Sequence, residues 1–225
     1  GKYRDLLGEK FYGKELIPRG SFASFLSHRQ VWLRFLETQS EIVFICEDDA
    51  RFIGKVPQYV HDFHLPKDAD VVFLNTRMGV GFHSQRYLEK IKNYKPLFYP
   101  IFESLMNICQ QNIHIGGPGL DGYIVTRKGA QKLLNLYDEL KYFMNNDWFV
   151  VFNSLSFEER RVFMEADGSG RFDMLRLPEK PRLNSYVMIP SIIDLSNFDT
   201  SIRMHDRKML ATREEICSGK PMVDN

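Results

Sequence analysis

Three consecutive carboxylates, Glu47-Asp48-Asp49, follow directly on the apolar run Ile42-Val43-Phe44-Ile45-Cys46. A run rich in β-branched residues and bounded by polar ones predicts a buried strand in a parallel or mixed sheet. The carboxyl ends of such strands are where open α/β sheets bind their ligands. Carboxylates at this density repel one another and resist desolvation. A hard divalent cation, Mg2+ or Mn2+, relieves both costs through oxygen ligands. A solvated turn after a strand is the competing reading, and the triplet alone leaves both open.

The elements that must position these carboxylates are partly legible. Ser21 to Ser40 carries apolar residues at Phe22, Phe25, Leu26, Trp32, Leu33 and Leu36, offsets that predict an amphipathic helix with Ser21 as its N-cap. A second strand, Val71-Val72-Phe73-Leu74, is introduced by Pro66-Lys67-Asp68-Ala69-Asp70. From Asn75 to Leu120 no period dominates, and the breaker cluster Gly116-Gly117-Pro118-Gly119 closes the stretch. Irregular segments of that length commonly serve as lids or binding loops. Gly122 to Thr126 reads as a short strand, followed by a helix from Arg127 to Leu140 with Ala130, Leu133, Leu134, Tyr137 and Leu140 on one face. Thr126 is placed to cap that helix. A shorter helix is expected to begin near Asp147, and Tyr186 to Ile189 reads as a last strand stopped by Pro190. Helix and strand alternate, which predicts one α/β domain over residues 1–217, with Ser218 to Asn225 a frayed tail.

Composition sets outer limits. The chain has 225 residues, 44% hydrophobic and 26% charged, ordinary for a soluble globular protein. A net charge of +1 gives no bulk electrostatic case for nucleic acid. Cys46, Cys109 and Cys217 show no metal-ligand spacing, and their odd count argues against a disulfide framework and for a reducing compartment. The first residues, Gly1 to Leu7, are too polar for a signal peptide, and no apolar run approaches the ~18 residues of a membrane span. Any membrane contact is then peripheral.

Several segments, taken in order, resemble one known family. Ser21-Phe22-Ala23-Ser24-Phe25-Leu26-Ser27-His28, then Trp32, then Ile42 through Asp49 are similar to the pattern of glycosyltransferase family 25. That family includes bacterial lipooligosaccharide glycosyltransferases and collagen galactosyltransferases. Gly122 to Ala130 with Leu133-Leu134 looks like its second block, and Asp147 falls where the family carries an aspartate. Pro190-Ser191 and Asp199 to Arg203 are similar to its closing segment. Two departures stand out. Ser21, Ala23 and Ser24 replace most of the family's usual helix opening. The strand and Arg-containing segment with which members begin is not seen here, so either the chain is incomplete at its amino end or part of the donor site is lost.

The resemblance implies a GT-A-like (Rossmann-like) fold, with a mixed, mainly parallel sheet flanked by helices and the first nucleotide-binding strand missing. It implies inverting transfer of a hexose, galactose or glucose, from a UDP-sugar to a saccharide or glycolipid acceptor in lipooligosaccharide biosynthesis. Such an enzyme would be cytoplasmic and peripheral at the inner membrane. Asp49 is then the first metal ligand, with Glu47 and His205 as further ligands. Glu47, Asp48, Ser27, His28 and Arg203 are donor-binding candidates. Asp147 is the expected general base, although an aspartate before an apolar helical run is also an ordinary N-cap. Asp121 is the alternative base, or a turn aspartate. His28 reaches donor phosphate or braces the metal loop, or else bonds a backbone carbonyl of its own helix. The Gly116–Gly119 amides approach the donor, or form a simple turn. Lys90, Lys92 and Lys95 face anionic head groups or plain solvent. Two rival functions are a catalytically inactive binding or scaffold protein and a metal-dependent phosphoesterase.

Overall fold

A computed structural model describes residues 16–53, 64–82, 96–113, 117–141, 144–168, 177–195 and 210–212. Strand β1 (Leu16–Pro18) leads into helix α1 (Arg19–Glu37), followed by β2 (Ile42–Cys46), β3 (Ala50–Phe52), β4 (Val71–Phe73) and a single helical turn, α2 (Thr76–Gly79). Next come β5 (Leu97–Pro100), α3 (Ile101–Gln110), β6 (Gly122–Thr126), α4 (Arg127–Leu140), α5 (Asn146–Asn153) and α6 (Phe157–Asp167). β7 (Ser185–Ile189), β8 (Ile193–Leu195) and β9 (Leu210–Thr212) complete the order.

Five strands form the central sheet in the order β2-β6-β4-β7-β5, while β1 pairs with β9 and β3 with β8. Only the β4–β7 pairing is parallel; β2–β6, β4–β6 and β5–β7 are antiparallel. The expectation of a mainly parallel sheet is therefore corrected. The causes are β6, which enters between β2 and β4 against their common direction, and β5, which runs against β7 at the far edge.

Alternation along the strands divides the interior into two apolar clusters. Val71, Phe73, Tyr123, Val125 and Val187 face the larger one, with Phe22, Phe25 and Trp32 of α1, Leu133 and Tyr137 of α4, and Phe149 and Phe152 of α5. Val72, Ile124, Met188, Ile192 and Ile193 face the smaller. The run Ile42–Cys46 forms the predicted strand, but at the sheet's edge: Ile42 and Phe44 are 48% and 41% exposed and only Ile45 is buried.

Thr126 caps α4 as its position suggests, accepting a hydrogen bond from the Gly129 amide. Helix α1 begins two residues before Ser21, so Ser21 lies inside the first turn and is not its cap. The stretch read as irregular holds β5 and α3, whose Ile101, Leu105 and Ile108 are buried. Residues 83–95, with Lys90, Lys92 and Lys95, lie outside the described residues, as do 218–225.

Candidate active site

Because β2 and β4 both oppose β6, and β7 runs with β4, the carboxyl ends of β2, β4 and β7 share one edge of the sheet. The same reversal brings the residues leading into β6 to that edge. Glu47, Asn75, Asp121 and Ser191 meet there for reasons of topology alone. The Glu47 amide donates to the Asp121 carbonyl at 3.0 Å, locking the two segments.

Asn75 organises the next layer. Its Nδ2 donates to the carbonyls of Pro118 (3.0 Å) and Gly119 (2.9 Å), and its Oδ1 accepts from the Met78 amide (3.0 Å), capping α2. Its own carbonyl accepts from Ser191 Oγ at 2.9 Å. One buried amide side chain thus fixes the 117–119 turn over the end of β4 and sets the start of α2, which carries Arg77.

Arg77 donates through an Nη2–H to Asp121 Oδ1 at 2.6 Å. Asp121 is 2% exposed, and its second oxygen, Oδ2, is buried without a hydrogen bond among the described residues. Burial pushes the Asp121 carboxyl up to about 7; Arg77 opposes the shift, and Glu47, Asp49 and Asp147 add to it. Such a value sits close to the working range of a general base.

Asp147 opens α5 with both oxygens engaged: Oδ2 accepts from the Gly119 amide (3.1 Å) and Oδ1 from the Trp148 amide (2.8 Å). Burial raises its carboxyl pKa, while those two amides and Arg77 pull the other way. Asp49 is also raised, first by burial and then by the Glu47 charge. Glu47, Asp49, Asp121 and Asp147 therefore feel one another around a single guanidinium.

His28, on the buried face of α1, reaches Tyr123 Oη through Nδ1 (2.9 Å) and Glu47 Oε1 through Nε2 (3.1 Å). It braces the acidic turn and does not bond a carbonyl of its own helix through either nitrogen. Ser27 and Asp48 are exposed. The Gly119 amide faces Asp147, so it is already spent, and Gly116 lies outside the described residues. Arg203 and His205 lie outside them as well. Among the described residues no three His, Cys, Asp or Glu side chains gather closely enough to hold a metal ion. Glu47 Oε1 and Asp121 Oδ1 are turned to His28 and Arg77. The described donors thus do not by themselves make the site expected of Asp49 and Glu47.

Arg77, Asn75 and Tyr123 escaped the sequence reading. Asn75 had a local signal, an N-cap type directly after a strand. Arg77 and Tyr123 had none, since their neighbours come from remote segments.

A carboxylate cluster surrounds one arginine at the carboxyl edge of a mixed α/β sheet, the place where open α/β sheets commonly bind ligands. The chain belongs to glycosyltransferase family 25: the family model described as "Glycosyltransferase family 25 (LPS biosynthesis protein)" matches residues 2–150. The matched span holds His28, Glu47, Asp49, Arg77, Asp121 and Asp147. The chain is also 24% identical over 132 residues to procollagen galactosyltransferase 1-B of Xenopus laevis. That match covers 56% of this chain and 19% of the relative, so it spans about a fifth of that protein. No solved structure matches the chain. No helix among the described residues is long and apolar enough to cross a membrane.

Proposed function

We propose that this chain transfers a hexose, galactose or glucose, from a UDP-sugar to a saccharide acceptor with inversion, in the building of lipooligosaccharide. Family membership supports the reaction class. The observation that carries the assignment of roles is the Asp121–Arg77 pair, with one carboxylate oxygen locked at 2.6 Å and the other buried without a hydrogen bond among the described residues.

In this reading Asp121 Oδ2 takes the proton from the acceptor hydroxyl. The acceptor oxygen attacks the anomeric carbon on the face opposite the leaving group, and the bond to the diphosphate breaks with its electron pair going to the phosphate oxygen. Asp121 replaces Asp147 as first choice for the base, because both Asp147 oxygens already hold backbone amides. Asp147 instead holds the Gly119 turn over the pair. Arg77 keeps N–H groups beyond the one spent on Asp121, and a guanidinium matches phosphate oxygens in geometry and charge. Glu47 and His28 stand on the donor side.

The excess of carboxylates over Arg77 favours a cation arriving with the donor. Mn2+ or Mg2+ touching Asp49 would offset that charge and the diphosphate's, with its remaining ligands drawn from beyond the described side chains.

The test is calorimetric titration of UDP into the chain with and without Mn2+, repeated on Asp49→Ala and Arg77→Gln, followed by turnover assays with UDP-galactose and UDP-glucose. Saturable binding weakened by Arg77→Gln, and turnover of one donor, support the reading. Loss of the Mn2+ effect in Asp49→Ala places the cation. Binding without turnover of any donor would make the chain a glycosyltransferase-like binding protein.

A further inference from the structure

The interior behind the acidic turn contains a chain of hydrogen bonds with only one consistent proton arrangement for a neutral histidine. Trp32 Nε1–H donates to Tyr123 Oη at 2.9 Å, and an indole nitrogen can do nothing but donate. Tyr123 Oη lies 2.9 Å from His28 Nδ1. Trp32 and Tyr123 are fully buried and His28 nearly so, which keeps water from supplying substitute partners. The phenol keeps its proton, since burial drives its pKa further up. Having accepted from Trp32, the Tyr123 O–H donates to His28 Nδ1. The imidazole proton is then on Nε2, where it donates to Glu47 Oε1 at 3.1 Å.

We propose that Trp32, Tyr123 and His28 form a positioning relay that fixes the His28 tautomer and thereby the orientation of the Glu47 carboxylate, turning its other oxygen to the incoming donor. Resting on the glycosyltransferase reading only for the identity of the ligand, the relay gives function to three side chains that would otherwise count as aromatic core. The local backbone supports it. The Glu47 amide is bonded to Asp121 (3.0 Å) and its carbonyl accepts from Ala50 (3.2 Å), so the side-chain torsions are the freedom left for the relay to remove. Tyr123 starts from β6 and His28 from α1, and their rings lie 5.7 Å apart, so helix and sheet together set the distance.

Tyr123→Phe is the informative variant, since it deletes the hydroxyl and keeps the ring that fills the core. Nitrogen-15 NMR of the His28 side chain, the 13C shift of the Glu47 carboxyl, UDP affinity and melting temperature are read on wild type and variant. The relay requires the Nε2–H tautomer in the wild type. In Tyr123→Phe, where Nδ1 loses its donor while Nε2–H keeps Glu47, it requires a moved His28 Nδ1 shift, a moved Glu47 shift and UDP binding weaker by about tenfold, as for loss of support to a charged hydrogen-bonding group. A wild-type Nδ1–H tautomer overturns the proposal, and so does an unchanged Glu47 shift or UDP affinity in Tyr123→Phe. His28→Gln, which offers an amide N–H to Glu47, is expected to recover part of the affinity that His28→Ala loses; equal losses would also overturn it. If the wild type binds no UDP, the donor assignment falls, while the tautomer and the Glu47 shift still judge the relay.

Discussion

Burial holds the Asp121 carboxyl protonated up to about pH 7, and Arg77 holds one of its oxygens in place. If Asp121 is the base, kcat/KM rises with pH through about 7. Asp121→Asn should lose that limb and about two to four orders of magnitude in rate. A steady-state pH profile of both proteins checks this, and an unshifted limb in the variant would assign the base elsewhere. The stability effect has the opposite sign. A carboxyl whose folded pKa lies above its unfolded value of about 3.9 binds more protons when folded, so its contribution falls as pH rises from there towards 7. Asp121→Asn should therefore raise the melting temperature at pH 8 more than at pH 4, less whatever the Arg77 pair contributed. Gly119 tests the same pair sterically. Its φ is +67°, and a Cβ there would lie 2.5 Å from Asp121 Oδ2 and 2.9 Å from Arg77 Cζ. Gly119→Ala should cut turnover at least tenfold by forcing the pair apart, with a modest stability cost of about 1–3 kcal/mol. Activity at wild-type level would show that the pair is a structural ion pair only.

At the level of elements, local signals were legible where they were complete. Ile42–Cys46 and Gly122–Thr126 have the predicted bounds, and so does Arg127–Leu140 with its Thr126 cap. Besides the single turn α2, two longer helices were missed although the chain marks both. Ile101, Leu105 and Ile108 have helical spacing behind Pro100, but a long stretch without period obscured them. Ser156 and Glu159 form a capping box for α6, hidden under a run of charge. What sequence could not show is which way β5 and β6 run; together those reversals turn a parallel sheet into a mixed one, and that of β6 brings Asp121 to the site. The same limit applies to close packing. A Cβ at Gly129 would lie 2.1 Å from the Asp70 carbonyl oxygen, so the first turn of α4 rests directly on the backbone leading into β4. Gly129→Ala should destabilise by about 3 kcal/mol, read by urea denaturation, because backbone must move and no flexible side chain can yield. A cost under ~1 kcal/mol would mean the helix slides freely over the strand.

Across the whole molecule, rigidity and exposure are distributed unevenly, and the site lies where they meet. β4 and β6 are fully paired on both sides in the middle of the sheet and face apolar clusters front and back. β2 is an edge strand with Ile42 and Phe44 exposed, and Phe52 of β3 packs beside Phe44 at 5.6 Å between ring centroids. The acidic turn therefore joins the less covered edge, while Arg77 and Asp121 leave the well-covered centre. Local opening energies follow burial and pairing. Amides of Val72, Ile124 and Val125 should exchange only through global unfolding, and UDP should slow them no more than the overall gain in stability requires. The Glu47 and Ala50 amides, bonded to Asp121 and Glu47 at the turn, should exchange faster in the free protein and gain protection beyond that global increment when UDP binds. Residue-resolved hydrogen exchange with and without UDP measures both sets at once. Uniform protection of both would make the site preformed and rigid. Selective protection at Glu47 and Ala50 would mean that donor binding is completed by ordering the β2 edge against a fixed Arg77–Asp121 centre.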